Sequence, residues 1–79
     1  MSNTPHTLGD EFPDQMEAIH ALKVKDERFA RVLEKYDAVN DKIHRAETRI
    51  DAISDEAEVE LRKQRLALKD EIVAALERA

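Results

Sequence analysis

The sequence predicts an all-α fold: an antiparallel helical hairpin that follows a short N-terminal helix and associates into a helical bundle. The first observation is a seven-residue apolar repeat, with a second apolar position three residues after the first, over about four heptads. The second is a composition of 39% charged and 42% apolar residues with one Gly and two Pro, which is typical of long surface helices. The third is the loss of this repeat after Ile53, which indicates a second long helix. The repeat consists of Leu22, Phe29, Tyr36, Ile43 and Ile50, together with Val32, Val39, Ala46 and Ile53.

The N-terminal part is predicted to hold a tail and one short helix. Residues 1–9 are polar and read as a flexible tail, and residues 10–79 read as a single helical domain. The first helix is expected over about 13–22, because Pro13 fits the first turn of a helix, where its missing N–H costs nothing.

The middle helix is predicted over about 26–53, after a break in the chain. Asp26 is a good N-cap residue, whose side chain can accept a hydrogen bond from the first free backbone N–H groups. Glu27 and Arg31 stand four residues apart in the favourable order, which supports the solvent face of this helix.

The last helix is predicted over about 55–77, with a turn near Ser54. Asp55 as N-cap and Glu58 three residues later fit a capping-box-like start. No Gly or Pro forces the turn, so a continuous helix with a stutter is the alternative. This last helix carries two apolar stripes, which is more than one neighbour would cover. The first stripe is Leu61, Leu68, Ile72 and Leu76, and the second is Val59, Leu66 and Val73.

Folding the hairpin about Ser54 gives a register and an ion pair. Arg65 then faces Glu47, and a charge-assisted pair of this kind would fix the register. Phe29 lies opposite a position beyond the chain's last residue, so the N-terminal helix or a second chain must cover it. The expected apposed pairs are Ile50 with Leu61, Ile43 with Leu68, Val39 with Ile72, and Tyr36 with Ala75.

This surplus of apolar surface predicts self-association, as a homodimer that forms a four-helix bundle, and docking of another protein. The candidate interface residues are Phe29, Leu33, Tyr36, Val59, Leu66 and Val73.

The second half of the chain resembles the small bacterial YdcH-like family, also called DUF465. The similarity covers roughly Phe12 to Leu76, and its most specific part is the run from Arg65 to Ile72. The other shared elements are Leu22-Lys23, Asp26, Phe29, Tyr36, Ile43 and Glu47. The resemblance implies a small, helical, coiled-coil-forming protein, and it brings no activity, substrate or catalytic residue.

The remaining patterns favour an interaction protein over an enzyme. There is no Cys, and the three His residues lack metal-ligand spacing, so we expect no metal, no cofactor and no catalytic residue. No signal peptide or membrane-length apolar run is visible, which predicts a cytoplasmic protein without a membrane partner. The alternative function is a nucleic-acid-associated regulator that uses a basic stripe on the last helix, which Glu47, Asp51 and Glu58 would neutralise. The stripe consists of Arg62, Arg65 and Lys69, with Lys63 beside them.

Overall fold

In the computed structural model, which describes residues 6–48 and 52–78, the described chain forms four helices and no strands. Helices α3 and α4 pack along each other, and α2 packs on both. Arg62, in the first third of α4, binds Glu47, the last residue of α3, so the end of α3 lies beside the first part of α4. This confirms the all-α class and the antiparallel hairpin, and it excludes the continuous-helix alternative. The helices are α1 (Leu8–Glu11), α2 (Met16–Lys25), α3 (Glu27–Glu47) and α4 (Asp55–Arg78).

The N-terminal segment differs from the prediction in two places: the end of the expected tail and the start of the first expected helix. Helix α1 begins inside the segment expected to be a tail, and the hydroxyl of Thr7 accepts a hydrogen bond from the Asp10 N–H at 3.3 Å. The Gln15 N–H donates to the Phe12 carbonyl at 3.1 Å, which closes a turn with Pro13 at its second position, where proline is favoured. Helix α2 therefore begins at Met16 rather than at residue 13.

Helix α3 begins where the sequence predicts and ends earlier. One carboxylate oxygen of Asp26 accepts from the N–H groups of Arg28 at 2.9 Å and Phe29 at 3.1 Å, which confirms the N-cap. At the other end, the Thr48 hydroxyl donates to the His44 carbonyl at 2.9 Å. The Thr48 N–H donates to the same carbonyl at 2.9 Å, and α3 ends at Glu47 instead of residue 53. Ile50 and its predicted contact with Leu61 lie outside the described residues.

Helix α4 begins one residue after its cap. The Ser54 hydroxyl accepts from the Ala57 N–H at 3.1 Å, and the Ser54 carbonyl accepts from the Glu58 N–H at 3.0 Å. Ser54 is therefore the N-cap, and Asp55, which the sequence suggested for that role, is the first helical residue.

The early end of α3 also shifts the register of the hairpin. Helix α3 ends at Glu47 and α4 begins at Asp55, so the point midway between them lies before Ser54, and the residues of α4 pair with positions nearer the start of α3 than predicted. Phe29, predicted to lie beyond the end of α4, lines one groove with Ala75. Val39, predicted opposite Ile72, lines another groove with Leu68.

The core joins the N-terminal segment to α3 and α4. Its buried cluster combines residues from the N-terminal segment with residues of α3 and α4, so the N-terminal segment belongs to the structure that covers Phe29. The hydroxyl of Tyr36 donates to the His6 carbonyl at 2.7 Å, which fixes the N-terminal segment to the middle of α3. The buried members of the cluster are Phe12, Ile19, Phe29, Leu33, Tyr36 and Ile72.

Candidate interaction surface

Three large apolar side chains of α4 remain exposed on one face, and we call them the α4 strip. Val59 is 49% exposed, Leu66 61% and Val73 37%. They are seven residues apart, so neighbouring members are about 10.5 Å apart along the helix axis. Large apolar groups that cluster on a surface mark sites of association more often than single ones do. The three interface candidates predicted on α4 therefore lie together at the surface.

The flanks of the α4 strip are charged or small. Lys63 and Asp70 are exposed and complete a four-three spacing with the strip. Ala67 and Ala74 are exposed beside them and add no bulk that would hold another helix away. A helix could therefore lie along this face with apolar contacts at three levels and charged contacts between them.

The three interface candidates on α3 are not at the surface. Phe29, Leu33 and Tyr36 are buried in the core of the same chain. The prediction failed here because the shifted register and the N-terminal segment supply cover that the predicted hairpin lacked. Surplus apolar surface of the α3–α4 pair is thus found on α4, not near Phe29.

The predicted ion pair between Glu47 and Arg65 is replaced by two other contacts. Glu47 accepts from Arg62 at 3.3 Å, and Arg65 donates from Nη1 to the Oδ1 of Asn40 at 3.0 Å. Both exchanges follow from the shifted register, which moves Arg65 past Glu47 to Asn40.

Asn40 is a structural residue that sequence reasoning missed. It is buried, and it takes a position in the core-facing row of α3 that is otherwise apolar. A single buried Asn in such a row can specify register at some cost in stability. The signal that could have found it is the spacing: the row runs Phe29, Leu33, Tyr36, Asn40 and Ile43, four and three residues apart in turn.

The basic stripe of α4 has acidic or polar partners inside the chain. Arg62 binds Glu58 at 3.0 Å as well as Glu47, and Lys69 lies 3.5 Å from Glu11. Arg65 turns inward to Asn40. These contacts leave less of the stripe's charge available to a phosphate backbone than the sequence alone implied. Asp51, which the sequence also placed among the neutralising residues, lies outside the described residues.

Two shallow grooves lie between α3 and α4, and each includes one alanine from the flank of the α4 strip. One has a volume of about 450 Å³, and its lining includes Val39, Leu68 and two lysines. The other has a volume of about 300 Å³ and carries both acidic and basic side chains. The first is lined by Lys35, Ala38, Val39, Lys42, Gln64, Ala67 and Leu68. The second is lined by Asp26, Arg28, Phe29, Val32, Glu71, Ala74, Ala75 and Arg78.

Among the described residues, three side chains have displaced pKa values, and none of them lines either groove. The His6 hydrogen bond and the nearby Lys69 hold the pKa of Glu11 below its ordinary value, against the effect of partial burial. Burial, with the nearby Glu11 carboxylate, raises the pKa of Tyr36. Partial burial raises the pKa of Asp37, which the Lys23 ammonium opposes. Each shift is explained by packing or an ion pair.

The described residues also bear on metal and membrane binding. Among residues 6–48 and 52–78, no group of three or more His, Cys, Asp or Glu side chains is placed to hold a metal ion. No helix in these ranges combines the length and the apolar character needed to cross a bilayer. The expectations of no cofactor and no catalytic residue stay predictions.

Comparison with known proteins gives one result. The profile of a family described as "Protein of unknown function (DUF465)" matches residues 29–76, which include nearly all of α3 and most of α4. No curated protein and no solved structure gives a significant match to the chain.

Proposed function

The chain belongs to the DUF465 family, whose function is unknown, and we propose that it acts as a self-associating protein–protein interaction module. The observation that carries this proposal is the α4 strip: Val59, Leu66 and Val73 stay exposed although the chain has a formed core. Association that covers this strip removes apolar surface from water, which is the main favourable term in most protein association. Docking of another protein, in the cytoplasm, is also part of the proposal.

The test is the oligomeric state of matched variants. Sedimentation of the wild type over a wide concentration range should show a dimer that dissociates on dilution. Leu66→Glu places a charge in the middle of the α4 strip and should give a monomer with an unchanged helical circular-dichroism spectrum. Val24→Glu is the control, because Val24 is 87% exposed on α2, away from the strip, and this variant should still dimerise.

A wild type that stays monomeric at the highest concentration would overturn self-association. A Leu66→Glu variant that dimerises as well as Val24→Glu would overturn the role of the α4 strip, because both variants introduce the same charge at an exposed apolar position.

The nucleic-acid alternative is less well supported by the contacts. Arg62 and Lys69 lie against acidic groups of the same chain, and the whole chain carries a net charge of −5. Retention on DNA or RNA at low salt, lost when Arg62 and Lys69 are replaced by Glu, would favour it over the interaction module. We retain the interpretation that the protein is not an enzyme as part of the same proposal.

A further inference from the structure

Resting on the proposed function, we infer that two copies pair through α4 in antiparallel orientation, about a two-fold axis that passes at Leu66. The α4 strip is symmetric about its own centre, because Val59 and Val73 each lie seven residues from Leu66. A two-fold interface brings the same patch of both subunits together. In the antiparallel pair, Val59 faces Val73 of the partner subunit, and Leu66 faces Leu66 of the partner subunit.

The charged side chains between the strip residues decide the orientation. Lys63 lies three residues before Leu66 and Asp70 four residues after it, and both are exposed. In the antiparallel pair, Lys63 therefore lies beside Asp70 of the partner subunit, and symmetry repeats the contact. In a parallel, in-register pair, each of these side chains would face its own copy, which sets two like-charged contacts at the interface. Exposed ion pairs add little affinity, but like-charge contacts disfavour the wrong arrangement.

The neighbouring residues of α4 are compatible with this arrangement. Ala67 and Ala74 are exposed on the same side as Asp70, and their small side chains let two helices approach closely. Arg62 and Lys69, on the opposite flank of the strip, are turned toward Glu47, Glu58 and Glu11 of their own chain. The face that remains for a second copy is therefore the strip with Lys63 and Asp70.

Cysteine crosslinking tests the orientation directly, since the chain has no Cys of its own. Val59→Cys and Val73→Cys are prepared separately, one of them labelled with ¹⁵N because the two variants have the same mass. Under mild oxidation of the mixture, the antiparallel pair gives the mixed disulfide dimer. Each variant alone should give little dimer, because identical positions are then about 21 Å apart along the axis, well beyond the reach of a disulfide.

A third variant separates the two proposals. Leu66→Cys lies on the proposed axis and should crosslink with itself in either orientation. Efficient crosslinking of Val59→Cys with itself would overturn the antiparallel inference and leave the interaction module intact. Absence of every crosslink, with a monomeric wild type in sedimentation, would overturn the interaction module itself.

Charge exchange gives an independent readout. Lys63→Asp and Asp70→Lys should each weaken dimerisation about tenfold, since each creates two like-charged contacts. The double variant Lys63→Asp/Asp70→Lys restores both ion pairs in reversed sense and should dimerise within a few-fold of the wild type. A double variant that is as weak as the single ones, or weaker, would contradict the antiparallel arrangement.

Discussion

The two long helices use their apolar residues differently. Helix α3 directs its largest side chains inward, and Phe29, Leu33 and Tyr36 are all buried. Helix α4 has one fully buried residue, Ile72, and leaves the α4 strip at the surface. The apolar side chains of α3 are thus largely buried within its own chain. Helix α4 instead has one apolar face in the core and a second one that is open to a partner. Two helices of similar length in one hairpin can serve folding and association separately.

The largest expected change in the free energy of unfolding comes from a test that compares one residue from each face of α4. Ile72→Ala removes a fully buried side chain and should lower the free energy of unfolding by about 2–5 kcal/mol at every protein concentration. Leu66→Ala should change it by less than about 0.5 kcal/mol in dilute solution, with a larger loss only where the wild type dimerises. Urea unfolding at two concentrations checks both. If both variants lost the same free energy of unfolding at both concentrations, the two faces of α4 would not differ in role.

The next test concerns the polar contact that joins the helices. Asn40→Ala leaves the partly buried guanidinium of Arg65 without the Oδ1 acceptor and should cost about 1–3 kcal/mol. The apolar double variant Asn40→Leu/Arg65→Met should recover much of that loss, because neither polar group is then left without its partner. A double-mutant cycle by urea unfolding measures the coupling. Strictly additive single and double variants would show that the two side chains act independently.

The helix caps should show the same contrast on a smaller scale. Asp26→Ala removes two hydrogen bonds at the beginning of α3, next to buried Phe29, and should cost about 0.5–2 kcal/mol. Ser54→Ala removes one bond at the beginning of α4, where residues 52–57 are all exposed, and should cost less. Thermal unfolding of both variants decides the order. A larger loss for Ser54→Ala would contradict the view that α3 is the more tightly integrated helix.

The smallest expected effect depends on pH and concerns the contact between α1 and α4. Contacts with His6 and Lys69 lower the pKa of Glu11 from its ordinary value of 4.5, so ionised Glu11 stabilises the folded state. This contribution is present above that ordinary value and is lost as the pH falls through the lowered pKa. Glu11→Gln should therefore cost up to about 1 kcal/mol at pH 7, and this loss should shrink as the pH falls through the lowered pKa of Glu11. A pH-independent difference between the two proteins in urea unfolding would refute the assignment.

Local signals were enough to predict much of the fold. Asp26 fixes the beginning of α3 because its carboxylate accepts a backbone hydrogen bond there, and an N-cap residue of this kind can be recognised in the sequence. The beginning of α4 was predicted to within one residue for the same reason. The end of α3 was missed because the apolar repeat continues through Ile50 and Ile53 and contains no signal that stops a helix.

The register and the core row of α3 required tertiary information. The sequence repeat placed Val32 and Val39 in its second row and did not include Asn40. In the structure, Asn40 is buried, since Arg65 from α4 supplies its hydrogen bond. A partner that lies 25 residues away cannot be read from local periodicity. The exposure of the α4 strip, by contrast, follows from the excess of apolar stripes on that helix, which the sequence did reveal.

The N-terminal segment has a consequence for the family as a whole. The matched region covers residues 29–76, whereas Phe12 and Ile19, which belong to the same buried cluster as Phe29 and Tyr36, lie before it. The hairpin of this protein therefore completes its core with residues that lie before the matched region. A relative that keeps the hairpin but differs in the segment before it needs other side chains to cover the surface that Phe12 and Ile19 cover here.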